Sequence, residues 1–331
     1  MLYYYALLYY NINLKQIKTM KKIHLISTLI GLLAFSTISK ADLKVVTSIK
    51  PIHSLASYIM DGVGSPGLIV DGYNSPHSFQ LKPSHAKMLE QADIIFWIGE
   101  DLENFLEKPL DTIAKKAEKI ELLEIKGIKK LEFRERNIFE EHEGHDDHGH
   151  DAKKEEHDDH DDHGHGEYDP HIWLDPINAK IILNEITEHL IENDSKNTST
   201  YNSNLTKALA KIDKLIIDVI TETNKDLTYV VFHDAYQYYE NRFNVNILGA
   251  MTVNPDVMPG AEQIHEIHEV IEHDNVSCIL SEPQFNPDII KSIAKDTSVK
   301  TGVLDPLGAN LKPGKDLYFD LIRNMSASFN C

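Results

Sequence analysis

Short apolar runs alternate with amphipathic stretches along this chain of 331 residues, and the alternation occurs twice. In the first half, the runs typical of strands are Val45–Ile49, Gly67–Val70, Asp93–Ile98 and Ile120–Leu123. The stretches between and after them predict helices over Pro51–Met60, Pro83–Gln91, Glu103–Glu118 and Ile177–Ile191. Alternation of strand and helix favours a parallel sheet covered by helices, so the fold class is α/β.

The second half repeats the pattern after one long helix. Apolar residues recur at steps of four and three at Leu205, Leu209, Ile212, Ile216 and Val219, which predicts an amphipathic helix following a polar turn region, Glu192–Asn204. Later strands are expected over Tyr229–Phe232, Ile247–Gly249, Val276–Leu280 and Gly302–Leu304, and helices over Ala235–Arg242, Ala261–Asp274, Pro287–Thr297 and Lys315–Ser328.

Two lobes follow from this pattern, each a mainly parallel sheet with flanking helices. The predicted boundaries are 42–197 for the N-terminal lobe, 198–225 for a long rigid connecting helix, and 226–331 for the C-terminal lobe. At 42% hydrophobic residues, the chain can supply a core for each lobe. A cleft between two such lobes is a common ligand site, because the carboxyl ends of the strands face it.

An acidic, histidine-rich insertion spans about residues 140–167. Such a segment buries too little apolar surface to offset its ordering entropy, so Glu141–Gly166 is expected to be disordered. Imidazole is a good ligand for zinc, copper and nickel, so the insertion predicts a weak, multivalent metal-binding tract; a solvated acidic linker is the alternative. Its histidines are His142, His145, His148, His150, His157, His160, His163 and His165.

The net charge of −19 limits the classes of partner. Between Glu140 and Asp169 there are fourteen acidic residues against two lysines, so the insertion carries most of this charge. An acidic protein repels nucleic acid and anionic membranes and favours cations.

The N-terminus has the layout of a secretion signal. Met20-Lys21-Lys22 is a basic start, Leu25–Ile38 is an apolar run, and Ser39-Lys40-Ala41 resembles a cleavage site. Residues 1–41 are therefore interpreted as a leader, with the signal at 20–41 and the mature start near Asp42; an uncleaved anchor is the alternative. No cysteine lies near the cleavage site, which argues for a free periplasmic protein rather than a lipoprotein.

The only two cysteines are Cys278 and Cys331. In an oxidising compartment an even pair predicts a disulfide. Two unpaired thiols are the alternative. Zinc binding by the two alone is disfavoured, because structural thiolate sites need more ligands.

Three histidines lie at predicted junctions between a strand and a helix. His77 follows a strand in a turn, His171 precedes a helix, and His233 lies directly after the strand Tyr229–Phe232, at its carboxyl end. Each has an aromatic residue within two positions, which would keep water away from a bound metal. Three unrelated junction histidines are the alternative. The others are expected to have no part in the site: His53 lies in the opening turn of the first helix, with a role near the site as its alternative, and His85 and His189 are solvated helix residues. His265 and His268 share a solvated helix face, with chelation of a surface ion as the alternative, and His273 lies near the end of that helix.

Several segments together resemble one family. These are VTSIKPIHSLAS, SPHSFQLKPS, DPHIWLDP, YVVFHDAYQYYE, AMTVNPDVMPGAEQIHEI, ILSEPQFNP and VLDPLGANL. They are similar to the periplasmic zinc-binding components of high-affinity zinc ABC importers, the ZnuA type, among metal receptors with two lobes joined by a long helix. The resemblance covers about Val45 to Cys331, including the cysteine pair and the position of the insertion.

The resemblance implies a transported Zn²⁺ held by His77, His171 and His233, with Asp305 at a fourth position. Pro76 stands where some zinc members have Glu, so water is the alternative fourth ligand. It also implies a membrane permease with a cytoplasmic ATPase as partners, and a monomer that is not an enzyme. Three imidazoles and one oxygen suit zinc by ligand type as well. A metal-scavenging adhesin and a zinc hydrolase are the alternatives; no HExxH motif is present.

Overall fold

Each half of the chain builds a four-stranded, all-parallel sheet in the computed structural model. The model describes residues 42–134, 138, 166–253, 255, 259–297 and 299–331. The leader predicted for 1–41 and the eight histidines of the insertion lie outside the described residues, so the predictions for them stay predictions.

The first sheet has the strand order β2-β1-β3-β4, and every neighbouring pair is parallel. The helices of this half cover the sheet, and a 3-10 turn, Ile172–Leu174, precedes the last of them. The strands are β1 (Val45–Ile49), β2 (Gly67–Val70), β3 (Ile94–Trp97) and β4 (Glu118–Glu121), and the helices are α1 (Lys50–Ile59), α2 (Pro83–Glu90), α3 (Glu100–Thr112) and α4 (Pro176–Asn193).

A long helix, α5 (Thr198–Glu222), leads to the second sheet, whose order is β6-β5-β7-β8 with all pairs parallel. Its strands are β5 (Thr228–His233), β6 (Asn246–Thr252), β7 (Cys278–Ser281) and β8 (Lys300–Val303), and the helices are α6 (Gln237–Phe243), α7 (Ala261–His273), α8 (Asp288–Asp296) and α9 (Leu317–Ser328). The predicted α/β class with two parallel sheets is confirmed.

Several predicted boundaries in the first half differ from the structure by one to three residues, and the end of one helix differs by six. The helix expected over Glu103–Glu118 spans Glu100–Thr112, and Pro109 weakens its last turns because it has no amide hydrogen to donate. The following strand begins at Glu118, two residues earlier than predicted. β4 is an edge strand, and its pairing with β3 uses backbone groups, so an apolar start is not required.

The connecting helix begins where the predicted segment 198–225 begins, inside a stretch that was also expected to be a turn region. Glu192–Asn204 was expected to be a turn region, yet α5 begins at Thr198. Tyr201 and Asn204 are buried because their polar atoms are bonded: the Tyr201 hydroxyl donates to Asp194, and Asn204 Nδ2 donates to the carbonyls of Ile59 and Asp61 at the end of α1. The polar residues of this stretch therefore led to a predicted turn where the structure has the first turns of a helix.

One hydrophobic core extends from β1 to the end of α9, and a second, smaller one lies under α7 and α8. The long helix α5 packs against α1, α4 and α9, and α9 also packs against α1. Residues Leu43–Cys331 form one compact unit, so the predicted lobe boundaries remain a sequence-based division. Among the described residues, no helix has the length and apolar character needed to cross a membrane.

The predicted disulfide is confirmed. Cys278 at the start of β7 is bonded to Cys331, whose Cα lies 6.6 Å away. In the chain-entropy model, closing a loop of this length stabilises the fold by roughly 4 kcal/mol. The bond holds the end of the chain, after α9, against the second sheet.

Candidate metal centre

His77, His171 and His233 converge at the carboxyl ends of the two sheets. One nitrogen of each ring lies within 4.8 Å of the corresponding nitrogens of the other two. The ring centroids are 5.5 Å apart for His77 and His171, 5.6 Å for His77 and His233, and 5.1 Å for His171 and His233. Histidines distant in sequence therefore form one cluster with the ligand type that zinc prefers.

Carboxylates contact the Nδ1 atoms of two of the three rings, those of His171 and His233. His171 Nδ1 lies 2.7 Å from Asp169 Oδ1, which also accepts the His171 amide at 2.9 Å. His233 Nδ1 lies 2.7 Å from Glu282 Oε1. An ionised carboxylate only accepts hydrogen bonds, so with Asp169 and Glu282 ionised each neutral ring carries its proton on Nδ1 and turns its Nε2 lone pair towards the other ring. Carboxylates in this place orient metal-binding imidazoles and raise their basicity.

The two Nε2 atoms approach each other closely. His171 Nε2 and His233 Nε2 are 3.3 Å apart. Two lone pairs at this distance repel each other unless a proton or a cation lies between them. A tetrahedral ion with nitrogen ligands at 2.0–2.1 Å places those ligands about 3.3–3.4 Å from each other. The spacing therefore fits a tetrahedral zinc ion as well as a hydrogen bond shared by the two rings.

The pKa values of His171 and His233 are shifted in opposite directions. Burial lowers the pKa of His171 well below its ordinary value, and nearby His233 lowers it further. Burial also opposes the charge on His233, but Glu282, Asp234 and Asp169 outweigh it and raise the pKa of His233. His171 is thus neutral and ready to bind metal at neutral pH, whereas a metal ion competes with a proton for His233.

Apolar walls enclose the cluster. Trp173 packs against His171 with ring centroids 5.2 Å apart, and its indole donates to the carbonyl of Pro306 at 2.8 Å. Phe285 lies edge-on to His233 at 6.0 Å. The residue predicted to shield His77, Phe79, instead packs against His85 and Phe105. Proximity in sequence identified Trp173 correctly but missed Phe285.

A charge network adjoins His233 through Asp234, the next residue in the chain. Arg134 donates to Asp234 and to Glu240, which are themselves buried or half-buried. Burial raises the pKa of Asp169 to about 7 and that of Asp234 to about 7, and the nearby positive charge of Arg134 partly offsets both shifts. A cation in the pocket would favour the charged form of both carboxyls.

Asp305 lies outside the group of possible ligands that the described residues form. Asp305 Oδ1 accepts the amides of Leu307 at 3.0 Å and Gly308 at 2.9 Å, and Oδ2 accepts the amide of Ala309 at 2.6 Å. Gln284 Nε2 also donates to Oδ1, at 3.0 Å. The predicted fourth ligand is thus bonded to its own turn and to Gln284, which lines the pocket.

A second group with metal-ligating side chains lies on β4 and α4. Glu118, His189 and Glu192 also offer ligand atoms within 4.8 Å of one another. Both ring nitrogens of His189 already face carboxylates, Glu118 at 2.8 Å and Glu185 at 3.2 Å. His189 was predicted to be a solvated helix residue; it is instead a half-buried partner of two glutamates.

The remaining histidines have ordinary roles. His53 is buried, which lowers its pKa, and its Nδ1 lies 3.4 Å from Ser57 Oγ. His85 Nδ1 accepts the Lys82 amide at the start of α2. His265 is exposed beside Glu269. These three lie outside the metal cluster of the described residues.

Sequence reasoning missed the residues that orient the cluster. Asp169 lies two residues before His171, and Glu282 follows β7 directly. The signal was present: polar residues directly after parallel strands meet at one edge of the sheet, and β7 pairs with β5, which ends at His233. Applying that rule to carboxylates as well as histidines would have identified Glu282.

Comparison with known proteins gives a consistent result. A family model described as ZnuA, zinc-uptake complex component A periplasmic, matches residues 45–330. The high-affinity zinc uptake system protein ZnuA of Brucella abortus is 45% identical over 303 residues, covering 86% of this chain and 90% of that protein.

Solved structures share the fold. A mutant of the laminin-binding adhesin (Lmb) of Streptococcus agalactiae matches with a TM-score of 0.70 at 22% identity, covering 87% of this chain and 98% of that one. A crystal structure of ZnuA matches with a TM-score of 0.68 at 21% identity, covering 87% of this chain and 100% of that one. Likeness at such low identity is a likeness of architecture.

Proposed function

Because the chain belongs to the ZnuA family of periplasmic zinc-uptake components, we propose that it captures Zn²⁺ with His77, His171 and His233. It then delivers the ion to the membrane permease of an ABC importer, which a cytoplasmic ATPase drives. The chain acts by binding and release, as a monomer in the periplasm, after removal of its leader.

One observation carries this proposal: the 3.3 Å separation of His171 Nε2 and His233 Nε2, with Asp169 and Glu282 behind the rings. A core histidine with only a structural role would usually pair its second nitrogen with an ordinary donor or acceptor rather than with another imidazole. Here the Nδ1 atoms are bonded and the Nε2 atoms face each other. This arrangement stabilises a cation and disfavours an apolar ligand.

Ligand chemistry supports zinc over harder ions. Manganese, magnesium and calcium prefer carboxylate, carbonyl and water oxygens, whereas zinc accepts three imidazoles in a tetrahedral site. Glu282 and Asp169 meet imidazole protons in the structure, so they support the nitrogens and leave the ligand set rich in nitrogen. An oxygen completes the set at the fourth position, from water or from Asp305.

The histidine-rich insertion has a separate role in this proposal. His142, His145, His148, His150, His157, His160, His163 and His165 bind several ions weakly and raise the local zinc concentration. Deleting residues 141–166 should lower the number of zinc ions bound and leave the tight site intact. Loss of the tight site in that deletion would make the insertion a direct ligand donor.

The two alternatives have less support. Likeness to the laminin-binding adhesin is one of fold, at 22% identity. A zinc hydrolase would need a general base within reach of a metal-bound water. The carboxylates nearest the cluster, Asp169 and Glu282, already meet imidazole protons.

Zinc uptake tests the function directly. Deleting the gene in its own organism should lower the initial rate of uptake of radioactive zinc at limiting concentration, and the wild-type gene should restore it. His233→Ala should fail to restore uptake although the variant is exported and folded. Unchanged uptake in the deletion strain, or full restoration by the variant, would overturn the proposal.

A further inference from the structure

Gln284 joins the predicted fourth ligand to the pocket. It follows β7 in the segment that also holds Glu282 and Phe285, and all three line the pocket of the histidine cluster. Gln284 Nε2 donates to Asp305 Oδ1 at 3.0 Å. The residue thus contacts Asp305 at one end of its amide group and belongs to the metal pocket as well.

The amide orientation of Gln284 is fixed by its partner. A carboxylate only accepts hydrogen bonds, so the nitrogen end must face Asp305 and the oxygen end must face away from it. Gln284 Oε1 is buried, and within the described residues no donor meets it. A buried carbonyl oxygen without a donor is costly, so this atom is suited to accept from a water molecule held in the pocket.

The turn after β8 makes Asp305 a rigid anchor for this amide. Three consecutive backbone amides, those of Leu307, Gly308 and Ala309, donate to its carboxylate. Gly308 has φ +70°, a conformation that other residues rarely adopt, and a Cβ there would lie 3.2 Å from Leu311 Cδ1. The turn therefore fixes the carboxylate, and the carboxylate fixes Gln284.

Resting on the zinc-binding function proposed above, we infer that Gln284 holds the water that fills the fourth position on zinc. Zinc bound by three neutral imidazoles keeps its full charge and polarises a water molecule, whose hydrogens then need an acceptor. Gln284 Oε1 is that acceptor. Asp305 is a positioning residue that acts through Gln284 rather than a direct ligand.

A neutral amide oxygen also determines what occupies the fourth position. It accepts from a water molecule, but it repels an anion whose lone pairs would face it. The arrangement therefore favours exchangeable water over chloride or other small anions. A water ligand leaves more readily than a carboxylate of the chain, which suits a protein that must release its cargo.

Gln284→Met tests the inference, because methionine has a similar volume and lacks the amide oxygen. Zinc affinity, measured by competition with a chromophoric chelator, should fall about 10–100-fold, as expected for a group that supports a metal ligand. In the Co²⁺-loaded variant, azide should change the visible spectrum at a lower concentration than in the wild type. Gln284→Glu, which restores an oxygen, should bind zinc more tightly than Gln284→Met.

Asp305→Asn tests the positioning role. If Asp305 acts through Gln284, the double variant Gln284→Met/Asp305→Asn should bind zinc no more weakly than the weaker single variant. Additive losses would make Asp305 an independent ligand and overturn its role here. Thermal unfolding of the metal-free proteins checks that each variant folds.

The outcomes separate this inference from the function it rests on. Unchanged zinc affinity and azide response in Gln284→Met, with binding lost in His77→Ala, would overturn the inference alone. Tight zinc binding retained in each of His77→Ala, His171→Ala and His233→Ala would overturn the proposed function itself. Reduced affinity with an unchanged azide response would assign Gln284 a packing role and would also overturn the inference.

Discussion

The two groups of possible metal ligands differ in what their histidine nitrogens already contact. In the cluster of His77, His171 and His233, Asp169 and Glu282 contact Nδ1 atoms, and two Nε2 atoms face each other at 3.3 Å. In the group of Glu118, His189 and Glu192, carboxylates contact both nitrogens of the one histidine. Both groups contain histidine. They differ in how many nitrogens of each histidine ring a carboxylate contacts.

Burial increases this difference. His171 and His233 are 3% and 2% exposed, whereas the side chain of Glu118 is 37% exposed. Water would screen the attraction between a metal ion and its ligands less in the buried cluster than in the more exposed group of Glu118, His189 and Glu192. A metal site thus needs nitrogens that carboxylates have not already engaged and exclusion of water, as well as suitable residue types.

The largest expected effect is on zinc affinity, and it should occur in only one of the two groups. His233→Ala should abolish the tight zinc site, because it removes one of three nitrogen ligands and leaves Glu282 buried without its imidazole partner. His189→Ala is the matched control and should leave tight binding unchanged. Isothermal titration of both proteins measures the difference. Equal losses in the two variants would erase the distinction between the groups.

Glu282→Gln should have the next largest effect. The glutamate holds His233 Nδ1 at 2.7 Å and accepts the Tyr236 hydroxyl at 2.8 Å. A glutamine can still accept, but without the negative charge, so zinc affinity at neutral pH should fall about 10–100-fold. Competition with a chelator measures it. Unchanged affinity would show that the carboxylate has no part in holding the ring.

A smaller effect concerns pH. Glu282 raises the pKa of His233 against the opposing effect of burial, so the metal-free site retains its proton above the ordinary histidine range near 6.5. Zinc must displace this proton, and zinc affinity should therefore rise as the pH rises through and above that range. In Glu282→Gln the midpoint of this rise should move to lower pH. A midpoint that stays in place would contradict the assigned cause.

The smallest expected effect is on the free energy of unfolding, and it concerns the surroundings of His189. Glu185 contacts His189 Nε2 at 3.2 Å across one helical turn of α4, and both side chains are only partly buried. Glu185→Gln should change the free energy of unfolding by less than about 0.5 kcal/mol, as for other partly exposed pairs of this spacing. Urea denaturation measures it. A loss of several kcal/mol would show that this group is structurally as important as the buried one.

The sequence predicted most of the fold because strands buried on both faces and helices with one apolar face leave clear patterns. It failed where polar residues are buried through specific hydrogen bonds. Tyr201 and Asn204 read as part of a turn, yet their bonds to Asp194 and to the end of α1 place them inside a helix. Edge strand β4 also lacks an apolar pattern, because its pairing is made by backbone groups.

Part of the candidate site was likewise within reach of the sequence. His77, His171 and His233 were identified from their junctions and from a family resemblance, and the structure brings them together. Their supporting residues, Glu282 and Gln284, were not identified. A hydrogen-bonded partner contributes by orientation and distance, which no local pattern encodes, so the contact of Gln284 with Asp305 became visible only in three dimensions.

X-ray absorption spectroscopy of the mature protein loaded with one equivalent of zinc, after deletion of residues 141–166, tests the central claim most directly. The account predicts three imidazole nitrogens and one oxygen around the ion, with nitrogens at about 2.0–2.1 Å. In His233→Ala the three-imidazole signal should disappear, whereas in His189→Ala it should be unchanged. A first shell with one imidazole and several carboxylate oxygens, lost in His189→Ala, would place zinc in the exposed group and contradict the account.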